Sequence, residues 1–274
     1  MSRNKLLLDS KIGLGTWKMG FDRSDRADEV AALKAGIEMG VTVIDTAEMY
    51  ANGGAEEVTG EAIAGQRDKI FLVTKVLPSN ASRSGTIQAC EDSLRRLGTD
   101  VIDLYLLHWS SSHPLSGTVE AFEELIQRGL IKQWGVSNFD PDDMQTLFGL
   151  PAGPNCGVNQ VYYSLGARGI EFDLLPWQAD HDVATMAYCP LDQGRLVADE
   201  RLRLIADKHN ATIAQIALAW TMTRPGVIPI PKSAKVSRVR ENVNARDIKL
   251  DENDLAELDR IFPPPTQAIP LMMT

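Results

Sequence analysis

Short apolar runs recur along this chain at intervals that a helix can fill, and that alternation constrains the fold more than any other feature. The runs are "KIGLGT" (11–16), "VTVID" (41–45), "IFLVTK" (70–75), "VIDLYLLH" (101–108), "IKQWGVSN" (131–138), "CGVNQVYY" (156–163), "DVATMAYC" (182–189) and "GVIPIP" (226–231). Helical patterns separate them. "RADEVAALKAGIEMG" (26–40) sets Val30, Leu33 and Ile37 on one face and stops at Gly40. "TIQACEDSLRRLG" (86–98) and "SGTVEAFEELIQRG" (116–129) repeat the pattern. Strands so uniformly apolar are buried on both faces, which calls for a parallel sheet covered by helices. Eight such units in 274 residues suit a closed (β/α)8 TIM barrel. The rival, an open doubly wound sheet, usually carries G-x-G-x-x-G after its first strand. Here "GLGTWKMG" follows Gly13 and Gly15 with Trp17 and Lys18, so the third glycine is misplaced.

The expectation is one (β/α)8 domain over residues 1–274, with no linker dividing it. "NATIAQIALAWTM" (210–222) reads as a second helix between strands seven and eight, and "DENDLAELDRIF" (251–262) as an extra C-terminal helix. Asp251 is its expected N-cap, with Asp254 where a capping box prefers Glu or Gln. The tail "PPPTQAIPLMMT" is expected to lie irregularly over the barrel surface.

Composition narrows the function. Lys and Arg number 28 against 37 Asp and Glu, a net charge of −9, which disfavours nucleic acid and anionic membranes as partners. No apolar run approaches a membrane span, and the three leucines near the N-terminus are too few for a signal-peptide core. Three widely spaced cysteines, Cys90, Cys156 and Cys189, fit reduced thiols in the cytoplasm. The four histidines show no zinc-like spacing, so no metal is expected. The chain reads as a monomer that acts on a small molecule.

In a barrel of this kind chemistry gathers at the C-terminal ends of the strands. Those ends carry Thr16, Trp17 and Lys18; Asp45, with Tyr50 just beyond; Lys75; His108 and Trp109; Ser137 and Asn138; Gln160; Tyr188; and Lys232 and Ser233. Singly, each reads as a cap, a packing group or a solvated charge. Four ionisable types meeting at one mouth imply a paired network, because unpaired buried charge is costly. An ammonium near a phenol favours the phenolate and makes the phenol a better acid; a carboxylate would hold that ammonium, and an imidazole would orient a carbonyl. This set suits protonation of an oxyanion during carbonyl reduction. The hydride must come from a cofactor.

The order and spacing of "GLGTWKMG", "VIDTAEMYANGGAEEVTGEAI", "LVTKV", "LYLLHW", "WGVSNF", "VNQVYY", "AYCPL" and "IPIPKS…RVRENV" resemble the aldo-keto reductases along essentially the whole chain. "IDTAEMYANGGAE", "CEDSLRRLGTD" and "SLGARGIEFDLLPW" look most like bacterial methylglyoxal-reductase-type members. The resemblance implies a catalytic set of Asp45, Tyr50, Lys75 and His108, with Tyr50 as general acid. It also implies NADPH bound without a Rossmann domain. Ser137, Asn138 and Gln160 match the carboxamide contacts, Tyr188 the nicotinamide stack, and Thr16, Trp17 and Lys18 the border of that end. Cys189, Pro190, Leu191 and Gln193 match the pyrophosphate segment, although Cys189 stands where many members carry Ser, and "DQGR" replaces a Gly-rich continuation. Lys232, Ser233, Arg238, Glu241 and Asn242 match the adenosine and 2′-phosphate end. Trp17, Met49, Leu77 and Trp109 match the substrate pocket, whose short flanking loops point to small aldehydes and ketones. Two other readings stay open at this stage. One is a barrel lyase with a Schiff base on Lys75, and the other a regulatory module that binds the cofactor as a sensor.

Overall fold

In the computed structural model, which describes residues 4–274, eight parallel strands follow one another in chain order. They are β1 (Gly13–Gly15), β2 (Val43–Asp45), β3 (Phe71–Val76), β4 (Ile102–Leu107), β5 (Ile131–Ser137), β6 (Val158–Tyr162), β7 (Ala184–Tyr188) and β8 (Val227–Pro229). The seam between β8 and β1 closes through Gly15, whose N–H donates to Pro231 O at 3.1 Å and whose backbone bridges to Lys232. A Cβ on Gly15 would lie 2.8 Å from Ile230 O, so this approach requires glycine. All eight expected strand runs fall on these strands.

Helices α2 (Arg26–Glu38), α3 (Gly54–Ile63), α4 (Arg83–Leu97), α5 (Leu115–Gln127), α6 (Pro141–Phe148), α7 (Leu174–Asp180), α9 (Ile213–Met222) and α10 (Val236–Asn244) cover the outside, with α8 (Arg203–Lys208) preceding α9. Local chemistry sets their ends. Ser82 Oγ accepts from Gly85 N to start α4, and Gly98 at φ +62° stops it. Thr212 and Gln215 form a capping box at the start of α9, the second helix expected between the last two strands.

The period-two alternation of each strand divides the core. Val43, Val73, Leu104, Leu106, Val158, Met186 and Ile228 point inward and fill the barrel. Their neighbours Ile44, Leu72, Tyr105 and Leu107 point outward beneath the helices. Continued toward the C-terminal rim, the inward phase passes from Val43 to Asp45, from Val73 to Lys75, from Leu106 to His108, from Val158 to Gln160 and from Met186 to Tyr188. The polar set therefore lies on the barrel axis by the same geometry that buries the valines and leucines.

Two features depart from the sequence expectation. A short helix, α1 (Lys5–Asp9), precedes β1 and sends Leu7 into the barrel interior, while Asn4 Nδ2 donates to Gly157 O at 2.8 Å. Of the three leucines considered only as a leader sequence, Leu7 forms this floor with Leu8 packed beside it, while Leu6 is exposed. The tail is irregular, but it does not stay on the outer surface: Met273 and Thr274 reach the barrel mouth. No helix among the described residues is long and apolar enough to cross a membrane.

α11 (Glu252–Ile261) is the expected terminal helix, and its capping box forms with aspartate at both positions. Asp251 Oδ1 accepts from Asp254 N at 2.9 Å, and Asp254 Oδ2 from Asp251 N at 3.0 Å. Asp254 also receives Lys208 Nζ at 2.7 Å and lies 2.8 Å from His209 Nε2, which ties α11 to the end of α8. Burial works against the Asp254 carboxylate, but these bonds outweigh it and hold its pKa at about 2, below 3.8. A depressed folded-state pKa adds stability above the ordinary carboxylate range and loses it as pH falls through the folded value. Asp254→Ala should therefore cost about 1–3 kcal/mol near neutral pH. In urea unfolding curves the gap from wild type should narrow as pH falls toward the folded pKa; a gap independent of pH would refute this account.

Candidate active site

A cavity of about 910 Å3 opens at the C-terminal rim of the barrel. At its base Lys75 Nζ donates to Asp45 Oδ1 (2.8 Å), Asp45 Oδ2 (2.9 Å) and Thr46 O (2.7 Å). All three ammonium hydrogens are thus used, and the Lys75 side chain is fully buried. Asp45 Oδ1 also accepts from Gln160 Nε2 at 2.7 Å, which ties β2 to β6 across the barrel. Burial lowers the Lys75 pKa and Asp45 opposes that shift, the arrangement expected of a desolvated cation with one close counter-charge.

Tyr50 and His108 stand above this pair. Their rings meet edge to face, with centroids 5.7 Å apart, and Lys75 Nζ lies 5.0 Å from the Tyr50 ring centroid. His108 is pushed down to about 2, first by burial and then by the Lys75 charge. Its Nδ1 is buried with no hydrogen-bond partner, so no carboxylate stands behind the ring to support an imidazolium. His108 is neutral throughout the physiological range.

Tyr50 corrects one expectation. An ammonium nearby was expected to lower the phenol, yet the pKa is raised well above its ordinary value, first by burial and next by the Asp45 charge. The physical reason is that Lys75 is spent on Asp45. The phenol gains no lowering from Lys75, and burial and the Asp45 charge both act to raise it.

A second network fixes the neighbouring wall. Asn138 Nδ2 donates to His108 O (3.1 Å) and Ser137 Oγ (3.1 Å), and Asn138 Oδ1 accepts from Tyr188 Oη at 2.8 Å. Ser137 Oγ donates to Gln160 O at 2.8 Å. Asn138 sits at φ +60° and Cys189 at φ +49°, left-handed positions that turn both strands sharply at the rim. Burial pushes the Cys189 thiol up to about 11, which makes it a poor thiolate.

Along one side the cavity reaches the segment Cys189–Gly194, and then the loop from β8 into α10. Lys18, Lys232 and Arg238 line it, and no carboxylate among the described residues forms an ion pair with any of them. The first amides of α10 have no side-chain cap. Burial lowers Lys232, Glu29 opposes the shift, and Lys18 adds repulsion, so two of these cations feel each other. Most other arginines are paired: Arg195, one residue beyond this segment, is bonded to Asp192, which also accepts from Tyr162 Oη.

Most of the residues read from the sequence line this cavity. Asp45, Tyr50, His108, Ser137, Asn138, Gln160 and Tyr188 do so near the ion pair, with Trp17, Met49 and Trp109 at the rim. Pro190, Leu191, Gln193, Ser233, Glu241 and Asn242 lie farther along. Three do not. Lys75 is beneath the wall; Thr16 is buried behind it, bonded through Oγ1 to Asp45 O; and Leu77 is not on the cavity wall, its N–H donating to Glu48. The structure adds Gly15, Gly194, Val197 and the tail residues Met273 and Thr274. Gly15 and Gly194 adjoin residues already singled out. For the tail no sequence signal existed, since a proline-rich coil carries no periodicity.

The sequence profile of the Aldo/keto reductase family matches residues 11–262. Methylglyoxal reductase YeaE of Escherichia coli is 53% identical over 259 residues, covering 93% of this chain and 91% of that protein. The glyoxal reductase of Bacillus subtilis is 35% identical over 253 residues, covering 91% and 88%. An aldo/keto reductase from Klebsiella pneumoniae, crystallised with NADP and acetate, superposes with a TM-score of 0.94 at 51% identity, covering 96% of this chain and 95% of its own. With the profile spanning most of the barrel, this chain belongs to the aldo/keto reductase family of oxidoreductases.

Proposed function

We propose that this protein reduces small aldehydes and ketones, methylglyoxal-like dicarbonyls among them, to alcohols with NADPH, and that Tyr50 is the proton donor. One observation carries the reading. A protonated phenol and a neutral imidazole face a cavity above a saturated ion pair, and the same cavity continues to three cations that form no ion pair with a carboxylate among the described residues. The names of the E. coli and B. subtilis relatives favour small dicarbonyls, and the Klebsiella structure favours NADP(H).

The residues present fit that cofactor. The uncapped start of α10, with Lys232 and Arg238, suits a phosphate. Ser233, Glu241 and Asn242 border the adenosine end, and Cys189, Pro190, Leu191 and Gln193, with Lys18, suit the pyrophosphate. Tyr188 offers an aromatic face held by Asn138, with Ser137 and Gln160 as amide partners and Thr16 as support behind the wall. When bound, the nicotinamide supplies a hydride to the carbonyl carbon. Everything else falls to the protein. His108, neutral, donates to the carbonyl oxygen and aims it. Trp17, Met49 and Trp109 shield the site from water. As the oxygen becomes an alkoxide, the Tyr50 proton moves to it. A phenol raised by burial keeps its proton until so strong a base forms beside it, and Lys75 and Asp45 hold the base of the site fixed throughout.

The Schiff-base reading of Lys75 fares worse. A carbonyl would have to reach a fully buried amine whose three hydrogens are already bonded. A purely regulatory module would not need a phenol and an imidazole brought together over that pair.

Three measurements test the proposal. Tyr50→Phe should abolish carbonyl reduction while NADPH still binds, read by absorbance at the nicotinamide band and by fluorescence titration; near-wild-type turnover in folded protein would exclude Tyr50 as the donor. The His108 ring should stay neutral in NMR titration down to roughly pH 4, with no inflection near the ordinary histidine value; protonation near that value would overturn the account of the imidazole. Arg238→Ala should weaken NADPH binding about ten- to a hundredfold, the scale of one charge-assisted contact, and leave NADH binding nearly unchanged. Equal weakening of both would remove Arg238 from the 2′-phosphate.

A further inference from the structure

The turn that carries Tyr50 is left-handed for three consecutive residues. Ala51 and Asn52 both sit at φ +52° and Gly53 at φ +91°, and α3 begins at the next residue. Side chains with a Cβ resist this region, so surrounding contacts must hold the turn. Gly54 packs on the backbone of Gly20, where a Cβ would come within 2.5 Å of Gly20 O. On the other side lies Arg96 of α4. A Cβ on Gly53 would fall 2.4 Å from Arg96 Cδ and 2.6 Å from Arg96 Nε, so the arginine stem fills the space a side chain there would need.

Arg96 is itself fixed. Its Nε donates to Glu56 Oε2 at 2.6 Å, and its Nη2 to Ser93 Oγ at 3.2 Å. Glu56, in the first turn of α3, is fully buried, and its other oxygen accepts from Thr74 Oγ1 at 2.6 Å. Thr74 points outward from β3 at the residue before Lys75, which points inward. A continuous set of contacts therefore runs from β3 through Thr74, Glu56 and Arg96 to Gly53, three residues after Tyr50.

We infer that Arg96, locked by Glu56, is a positioning residue for Tyr50: it holds the left-handed turn so that the phenol sits over the carbonyl site. The inference rests on Tyr50 being the proton donor. Arg96 lines the outer side of the turn and is absent from the wall of the catalytic cavity, so it acts only through the turn. The plainer alternative is that Glu56 and Arg96 merely stabilise the start of α3, where an acid is favoured by the helix dipole.

Kinetics separate the two. Turnover of Arg96→Ala and Arg96→Lys, corrected for folded fraction, would be measured on a series of aldehydes of rising electrophilicity, with NADPH affinity and urea stability alongside. A misplaced proton donor matters most where the alkoxide is most basic. The least electrophilic aldehyde should lose about ten- to a hundredfold in kcat with Arg96→Ala, the scale of a misplacement of about 1 Å. The loss should shrink along the series, NADPH affinity should hold, and Arg96→Lys should recover part of the rate. An equal loss for every aldehyde, a loss confined to NADPH affinity or stability, or wild-type turnover would overturn the inference. If Arg96→Ala does not fold, Arg96→Lys is read by the same gradient. Tyr50→Phe run in parallel distinguishes the two levels: an inactive Tyr50→Phe with a silent Arg96→Ala sinks this inference alone, whereas an active Tyr50→Phe sinks the assignment of the donor.

Discussion

The buried contact between Lys75 and Asp45 governs the site. Two opposite charges are held in a barrel interior otherwise filled by valine, leucine and methionine. Desolvation of each is expensive, and only complete hydrogen bonding offsets it. The structure meets that demand: Lys75 spends all three hydrogens, and Asp45 takes a further bond from Gln160. Removing either partner would leave a buried unpaired charge, a loss of about 3–5 kcal/mol. The same pair sets the electrostatics above it. Burial, with the Asp45 charge adding to it, keeps the Tyr50 phenol protonated, and burial, with the Lys75 charge adding to it, keeps His108 neutral.

The cavity is divided by charge. The ion pair itself is fully hydrogen-bonded, His108 Nδ1 above it has no partner, and the rim is aromatic. Toward α10 the cations have no carboxylate partner among the described residues, and the helix start has no side-chain cap. One half is organised to hold a neutral reacting group in place, the other to receive a polyanion. Backbone strain concentrates at the same rim, although Lys11, Asp182 and Asn210 adopt positive φ elsewhere. Lys18, Ala51, Asn52, Asn138, Cys189, Asp192 and Gln193 all adopt positive φ in segments that leave the C-terminal ends of strands. Such positions persist only where surrounding contacts impose them, here the Asn138 network on the cavity wall and, for Ala51 and Asn52, the packing of Arg96 and Gly20 behind it.

Much of this was legible beforehand, for a simple reason. A strand buried on both faces must be apolar, so a polar residue at its C-terminal end stands out, and Asp45, Lys75, His108 and Gln160 are such residues. Helix ends were legible where a local device marks them, as at Gly40, Gly98 and Asp251. Leu77 and Thr16 were misplaced because a position in a motif does not say which way a side chain leaves the strand end. The direction of the Tyr50 shift was misjudged because spacing cannot reveal that the nearby ammonium is already saturated.

The sequence by itself therefore determined the repeat, the barrel and the polar residue types at the strand ends, since these depend on periodicity and residue type within a few positions of one another. Tertiary structure alone decided the rest: Leu7 as the floor, Met273 and Thr274 at the mouth, and Arg96 against the turn that carries Tyr50. Each is a contact between segments far apart in the chain. Whether such a contact forms depends on shape and desolvation at the point of meeting, and neither is written in the local pattern of residues.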